Sequence, residues 1–274
     1  MASTLLAAGL RVLVHSRSSR RVGELVAAGA LAAPDAASLG SGADIVVLSL
    51  PDAGDVREVL LGDGGVATVA DPPRLVIDTS TIAPEDARAI AADLGSAGVA
   101  YIDAPVSGGP TAAATGSLSV MVGGAEEHVA AAREVLEVIG ARVAHCGGVG
   151  AGQVCKACNQ LIVMGTIELV AEALVLATRA GLDPATVREA LMAGYASSRI
   201  LELHGKRMID RDFEPGGKAV FNMKDIRIIA GLAAAAELEL PAFDAAALQV
   251  ERLIGADGGE LDNAALITVV EGRA

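Results

Sequence analysis

Apolar positions along this chain follow two rhythms. Over roughly the first 150 residues they come as short runs: LRVLVHS (10–16), DIVVLSLP (44–51), RLVIDTST (74–81), VAYIDAPVSG (99–108), SLSVMVGG (117–124) and ARVAHCG (141–147). Ala-rich stretches such as EDARAIAADLGSAG and EEHVAAAREVLEVIG, apolar at helical spacing, lie between them. Continuous apolar runs are the mark of strands buried on both faces, and alternation with helices implies mainly parallel pairing. From about Ala151 the rhythm changes. QVCKACNQLIVMGTIELVAEALVLATRAG has no breaker before Gly181 and predicts one helix of nearly thirty residues, about 45 Å long. Gly181 suits a C-cap and Asp183-Pro184 a new helix start. PATVREALMAG, FNMKDIRIIAGLAAAAEL and PAFDAAALQVERLIG continue as helices, with a loop through YASSR. The pattern predicts a doubly wound α/β domain over 1–149, then a long interdomain helix opening an all-α domain over 150–274. No internal repeat or low-complexity linker appears.

Composition narrows the partners. The formal net charge is −13 and only 2% of residues are aromatic, which excludes bulk neutralisation of nucleic-acid phosphates and base stacking. Mean hydropathy is high at +0.49, but the apolar runs are interrupted short of the ~18 residues of a membrane span. No basic residue precedes Arg11, so a secretory signal is a poor reading. Three cysteines, all within 146–158, fit a reducing compartment. The expectation is a soluble cytoplasmic protein with neither a nucleic-acid nor a membrane partner.

Three stretches carry candidate chemistry. In DAPVSGGPTAAATGSLSVMVGG (103–124) a strand end meets Ser107-Gly108-Gly109-Pro110; adjacent glycines let backbone N–H groups approach an anion, and Ser107 adds a hydroxyl donor. An ordinary Gly-rich turn fits that stretch equally well. In GAGQVCKACNQ (150–160), Lys156, Asn159 and Gln160 share one helix face. A partly desolvated lysine can pass a proton near neutral pH, with an adjacent amide to orient it or the substrate, although a lone lysine is more often simply solvated. In FNMKDIRIIA (221–230), Lys224-Asp225 opens a helix where a carboxylate suits the dipole; salt-bridged surface is the plainer reading.

In this order and spacing the three stretches resemble the β-hydroxyacid dehydrogenase family, over essentially the whole chain. DTSTIAP (78–84) is similar to the family's D-x-S-T-x-x-P segment, DAPVSGG to its substrate loop, GAGQVCKACNQ to its G-x-G-x-x-x-K-x-x-N segment and NMKD to its C-terminal K-D motif. K-x-x-N-Q and YASSR lean toward the tartronate semialdehyde reductases among its members, beside the 3-hydroxyisobutyrate dehydrogenases. The resemblance implies a Rossmann-like domain and NAD(P)-dependent interconversion of a short β-hydroxy acid and its semialdehyde. It implies that Lys156 carries the proton to or from the substrate oxygen. Ser107, Gly108 and Gly109 would hold the substrate carboxylate, with Asn159 or Gln160 assisting. Leu50, Pro51 and Thr81 would contact the cofactor near the nicotinamide, and Lys224 would close the site over substrate and cofactor. A relative that oxidatively decarboxylates a sugar-acid phosphate has a His in the Lys156–Asn159 segment; this chain has none.

The end of the LRVLVHS run decides between cofactors. A carboxylate there would accept bonds from the ribose 2′-hydroxyl of NAD. Ser16-Arg17-Ser18 offers hydroxyls and a guanidinium instead, which suit a 2′-phosphate, so NADP is expected to be preferred with NAD possible. Against the family pattern, MASTLLAAG aligns with the end of the first helix, so the first strand and the G-x-G-x-M-G loop are expected to be missing from this sequence. That leaves a slot in the sheet and predicts weak NADP binding and little activity for residues 1–274. A start codon placed at an internal Met is one explanation; the other is an inactive, cofactor-poor paralogue kept as a structural or oligomerisation partner. The upstream reading frame distinguishes them. No metal is expected, because Cys155 and Cys158 form a C-x-x-C inside a helix with no second pair. The long helix and the Ala-rich helices suggest a homodimer or homotetramer.

Overall fold

The computed structural model describes residues 1–273 and divides into two compact units, Met1–Lys156 and Ala157–Ala274. In the first unit the order is α1 (Ala2–Ala7), β1 (Leu13–Val14), α2 (Ser19–Ala27), β2 (Leu31–Ala32), α3 (Ala36–Gly42), β3 (Ile45–Leu48), α4 (Ala53–Leu61), β4 (Leu75–Asp78), α5 (Pro84–Ser96), β5 (Ala100–Asp103), β6 (Val106–Ser107), α6 (Gly109–Thr115), β7 (Leu118–Gly123), α7 (Glu126–Ile139) and β8 (Gly140–Gly147). β3, β4 and β5 pair in parallel. β7 runs antiparallel to both β5 and β6 and parallel to β8.

Period-two alternation gives this sheet two buried faces. Val46, Leu48, Val76 and Tyr101 pack with Val56 and Leu60 of α4 and Ile90 and Leu94 of α5. Leu75, Ile77, Ile102, Val120 and Val122 pack with Leu5 of α1 and Leu136 and Ile139 of α7. The helices earn their positions locally: Asp52 accepts from Asp55 N at 2.9 Å to cap α4, and α5 begins at Pro84 with Glu85 and Asp86 in its first turn.

Several local expectations are corrected. The 10–16 run forms only the two-residue strand β1, which pairs with β2, a strand the pattern did not reveal. Among the described residues these two form a sheet of their own, not hydrogen-bonded to the larger one. The 99–108 run breaks at Ala104-Pro105, where proline has no N–H for a ladder. The Gly-rich stretch after Ser107 is not all loop, since Gly109 opens α6. β7, entered after α6, runs antiparallel to β5 and β6 and so departs from the expected mainly parallel pairing.

α8 (Ala151–Arg179) spans the division between the units, and the second continues with α9 (Pro184–Met192), α10 (Arg199–Asp210), α11 (Asn222–Ala235), α12 (Pro241–Gly255) and α13 (Leu266–Val270). Met164, Ile167, Ala171 and Leu174 of α8 form its core with Leu201, Met208, Ile229, Phe243 and Val250. By length and composition α8 could cross a membrane, but its apolar window is 44% buried and any such window includes Glu168. It reads as a core helix.

Glu168 is buried, and neither carboxylate oxygen has a hydrogen-bond partner. Burial, reinforced by the Glu172 charge and only partly offset by Arg252, pushes its pKa up to about 7. The folded chain therefore holds a proton that the unfolded chain releases near 4.5, so this group's contribution to stability falls as pH rises and levels off above about 7. Glu168→Gln is expected to raise the melting temperature at pH 8 and to leave it nearly unchanged at pH 5, read by thermal denaturation at both values.

Candidate active site

Leu48, Asp78 and Asp103 stand in register at the carboxyl ends of β3, β4 and β5, the edge where doubly wound sheets bind ligands. The loops leaving these strands are tied to one another. Thr79 N and Oγ1 both donate to the Leu48 carbonyl, and Leu50 N donates to Ser80 Oγ at 2.9 Å. Asp78 accepts from Ser80 N at 2.9 Å and from the Tyr101 hydroxyl at 3.0 Å. Burial, which outweighs these hydrogen bonds, raises the Asp78 pKa; burial and the facing carboxylate raise that of Tyr101.

Asp103 grips the start of α8. Its Oδ1 accepts from Gly150 N at 2.7 Å and its Oδ2 from Gln153 N at 2.9 Å. The carboxylate is fully buried, and desolvation raises its pKa against those amide bonds. Gln153 then reaches across to the loop after β4: its Nε2 donates to the Ser80 carbonyl at 2.9 Å, and its Oε1 accepts from Ile82 N at 3.2 Å. Thr81 lies between those two contacts. Lys156 follows Gln153 by one helical turn and is buried, at 8% exposure. The spacing in G-x-G-x-x-x-K has a physical basis. Gly150 has φ +89°, and a Cβ on Gly152 would stand 2.4 Å from the Met121 carbonyl oxygen, so α8 can start this close to β7 only as glycine.

Asp103 and Gln153 thus tie the start of α8, one turn before Lys156, to the loop that carries Thr81. The substrate-loop residues follow β5: Ser107 sits in β6 opposite Ser119, half-buried, and the exposed Gly108 and Gly109 take φ +133° and +69°. Ser16, Arg17 and Ser18 are joined to a different part of the edge. Arg17 pairs with Asp55 of α4 at 3.5 Å while remaining largely exposed. The Ser16 hydroxyl accepts from Ser18 N, and the Ser18 hydroxyl caps α2.

The second unit contributes a separate polar chain. Asn159 Nδ2 donates to Gln160 Oε1 at 2.8 Å, and Gln160 Nε2 donates to Asp225 Oδ2 at 2.6 Å. Asp225, in the first turn of α11, is buried rather than part of a salt-bridged surface, and Lys224 beside it is half-buried. Just before α11, Asp262 gathers the chain by accepting from Gly216 N, Gly217 N and Ala264 N and pairing with Arg207 at 2.7 Å. Asp78, Ser80, Asp103 and Gln153 escaped the reading of the sequence as functional positions. Their partners lie up to 73 residues away, although all four stand inside the very motifs that drew attention.

This edge fits a dinucleotide. The parallel strand ends carry interlocked loops that include Leu50, Pro51 and Thr81, and the Ser16–Ser18 turn carries two hydroxyls and a guanidinium. Among the described residues no group of three or more His, Cys, Asp or Glu side chains is arranged to hold a metal.

Comparison with known proteins agrees with this geometry. A family model described as the NAD binding domain of 6-phosphogluconate dehydrogenase matches residues 1–148. Another, described as NAD-binding of NADP-dependent 3-hydroxyisobutyrate dehydrogenase, matches residues 150–270. The chain is 41% identical over 249 residues to 2-hydroxy-3-oxopropionate reductase of Escherichia coli, covering 90% of this chain and 85% of that protein. The 3-hydroxyisobutyrate dehydrogenase structure from Salmonella typhimurium superposes with a TM-score of 0.90 at 31% identity, over 98% of this chain and 94% of that one. A structure of Psf3 in complex with NADP+ and 2-OPP gives a TM-score of 0.87 at 26% identity, over 98% and 95%. The chain belongs to the β-hydroxyacid dehydrogenase family of NAD(P)-dependent oxidoreductases that act between hydroxy acids and semialdehydes.

Proposed function

We propose that this protein reduces 2-hydroxy-3-oxopropionate (tartronate semialdehyde) to glycerate with NADPH as the preferred cofactor, NADH serving less well. The observation that carries the reading is the buried Lys156, one turn beyond Gln153, whose side chain is bonded to both sides of Thr81. The 41% identity to a protein named for that substrate, together with K-x-x-N-Q and YASSR, supports the choice of substrate.

When bound, the cofactor supplies hydride. The chain's own residues supply the rest. Hydride addition leaves negative charge on the former carbonyl oxygen; the Lys156 ammonium stabilises that charge and gives up its proton to it, and accepts the proton back in oxidation. Ser107 with the backbone amides of Gly108 and Gly109 binds the substrate carboxylate. Asn159 binds the substrate as well, with Gln160 contributing from beside it, and Lys224 adds a cation that binds substrate or cofactor. Leu50, Pro51 and Thr81 position the nicotinamide end.

Arg17 with Ser16 and Ser18 supports the NADP preference, since a guanidinium matches a phosphate and the turn after β1 itself carries no carboxylate to take the ribose hydroxyls. Arg17→Asp is expected to lower kcat/KM for NADPH by about 10–100-fold, the worth of one charge-assisted hydrogen bond, and to raise it for NADH. The reading is tested by a panel of 2-hydroxy-3-oxopropionate, methylmalonate semialdehyde, succinic semialdehyde and glyoxylate with each cofactor. It predicts the highest kcat/KM for 2-hydroxy-3-oxopropionate with NADPH. A higher value for another aldehyde, or equal use of NADH, contradicts it.

We read the protein as cytoplasmic and as a homodimer or homotetramer. Ile162, Leu169 and Leu176, exposed at seven-residue intervals on α8, support an association surface for a second copy.

A further inference from the structure

Spacing alone puts Asn159 and Gln160 side by side; the second unit joins them into one directional chain. Asp225 Oδ2 accepts from Gln160 Nε2 at 2.6 Å, and Gln160 Oε1 accepts from Asn159 Nδ2 at 2.8 Å. All three residues lie within Ala157–Ala274, Asp225 buried in the first turn of α11 and the two amides half-buried on α8. A carboxylate has no proton to donate, so Asp225 forces the Gln160 amide to present its NH2 group. The Gln160 oxygen is then turned to Asn159, which must answer with its own NH2. Gln160 is engaged at both ends of its amide. Asn159 Oδ1 is left at the other end of the chain: among the described residues nothing donates to it, and the half-buried side chain keeps it open to a ligand.

We propose that Asp225 and Gln160 are positioning residues that present the Asn159 carbonyl oxygen to the hydroxyl on C2 of the substrate, the carbon bearing the carboxylate. That contact selects a 2-hydroxy aldehyde over its 2-methyl counterpart. The selection rests on the reading of Asn159 as a substrate ligand in a 2-hydroxy-3-oxopropionate reductase.

Only one group on that substrate suits the oxygen. The carboxylate and aldehyde oxygens accept hydrogen bonds, so they match the Ser107 hydroxyl, the amides of Gly108 and Gly109, and the Lys156 ammonium. The C2 hydroxyl is the single donor that 2-hydroxy-3-oxopropionate carries, and an amide oxygen fixed through a buried carboxylate is its complement. Methylmalonate semialdehyde has a methyl in place of that hydroxyl and leaves the oxygen facing a group that cannot donate. A site built to bond a substrate hydroxyl rejects the analogue lacking it; for a half-buried acceptor the discrimination is expected to be about 10–100-fold.

The test compares the purified full-length protein with Gln160→Met, Asp225→Leu and Asp225→Asn. Calorimetric titration measures affinity for D-glycerate and 3-hydroxyisobutyrate, which differ at C2 as the two aldehydes do, and steady-state kinetics with NADPH measure both aldehydes. The parent is expected to favour the hydroxy compound of each pair by about 10–100-fold. Gln160→Met and Asp225→Leu should each cut that preference by about fivefold or more, through weaker binding and a higher KM for the hydroxy compounds rather than a lower kcat. Asp225→Asn, whose oxygen still accepts from Gln160, should keep most of it. Variants that retain the parent's preference overturn the relay and leave 2-hydroxy-3-oxopropionate as the best substrate. An equal fall in kcat for both aldehydes also overturns it, since the relay would then serve the proton transfer and not the C2 hydroxyl. A parent that favours the methyl compounds, or neither, overturns the choice of substrate together with the relay.

Discussion

Replacing Lys156 by methionine is expected to lower kcat by about 10²–10⁴-fold, the range for loss of a positioned general acid. Methionine fills nearly the same buried volume without the ammonium, so the fold and cofactor affinity should persist. The loss should therefore appear in kcat and kcat/KM together, as for an interaction made only in the transition state. Steady-state kinetics at saturating cofactor, with a fluorescence titration of NADPH, separate the two effects. A kcat within threefold of the parent protein would reduce Lys156 to a structural residue.

The second large effect is expected at Asp103. Asp103→Ala removes the acceptor for both Gly150 N and Gln153 N in a site with no exposure to water. Each buried N–H left unpaired costs about 1–3 kcal/mol, so a loss of about 3–4 kcal/mol is expected, or roughly 10 °C in Tm. Asparagine would not rescue it, because one of its two atoms turns a donor toward an existing donor. Turnover should fall as well, since the same two amides fix the turn that carries Lys156. Denaturation and kinetics on one preparation check both, and an unchanged Tm would show that α8 is anchored elsewhere.

Those two residues mark the boundary of what was legible in the chain. Lys156 was visible because a cation in an apolar helix at motif spacing is conspicuous. Asp103 was in plain view at the end of a predicted strand, yet its role depends on amides 47 and 50 residues away, a pairing that no local spacing encodes. Gln153 is similar: it stands inside G-A-G-Q, but its partners Ser80 and Ile82 lie on another loop. The long helix and β3, β4 and β5 were readable because strong periodicity survives without tertiary information. The two-residue β2 left no periodicity to read, and the segment after Ser107 that looked like a glycine loop holds α6, ahead of the antiparallel β7. Asp225 looked like surface because its burial comes from the fold rather than from its neighbours in sequence.

The central claim is that the chain acts on a hydroxyl β to a carboxylate, the carboxylate held by Ser107, Gly108 and Gly109 and the proton carried by Lys156. Its most direct test is the oxidative direction, following cofactor reduction with D-glycerate, 3-hydroxyisobutyrate, lactate and 1-propanol. The account predicts turnover with the two β-hydroxy acids and none with lactate, whose hydroxyl is α, or with propanol, which has no carboxylate. Comparable rates with propanol or lactate would contradict it.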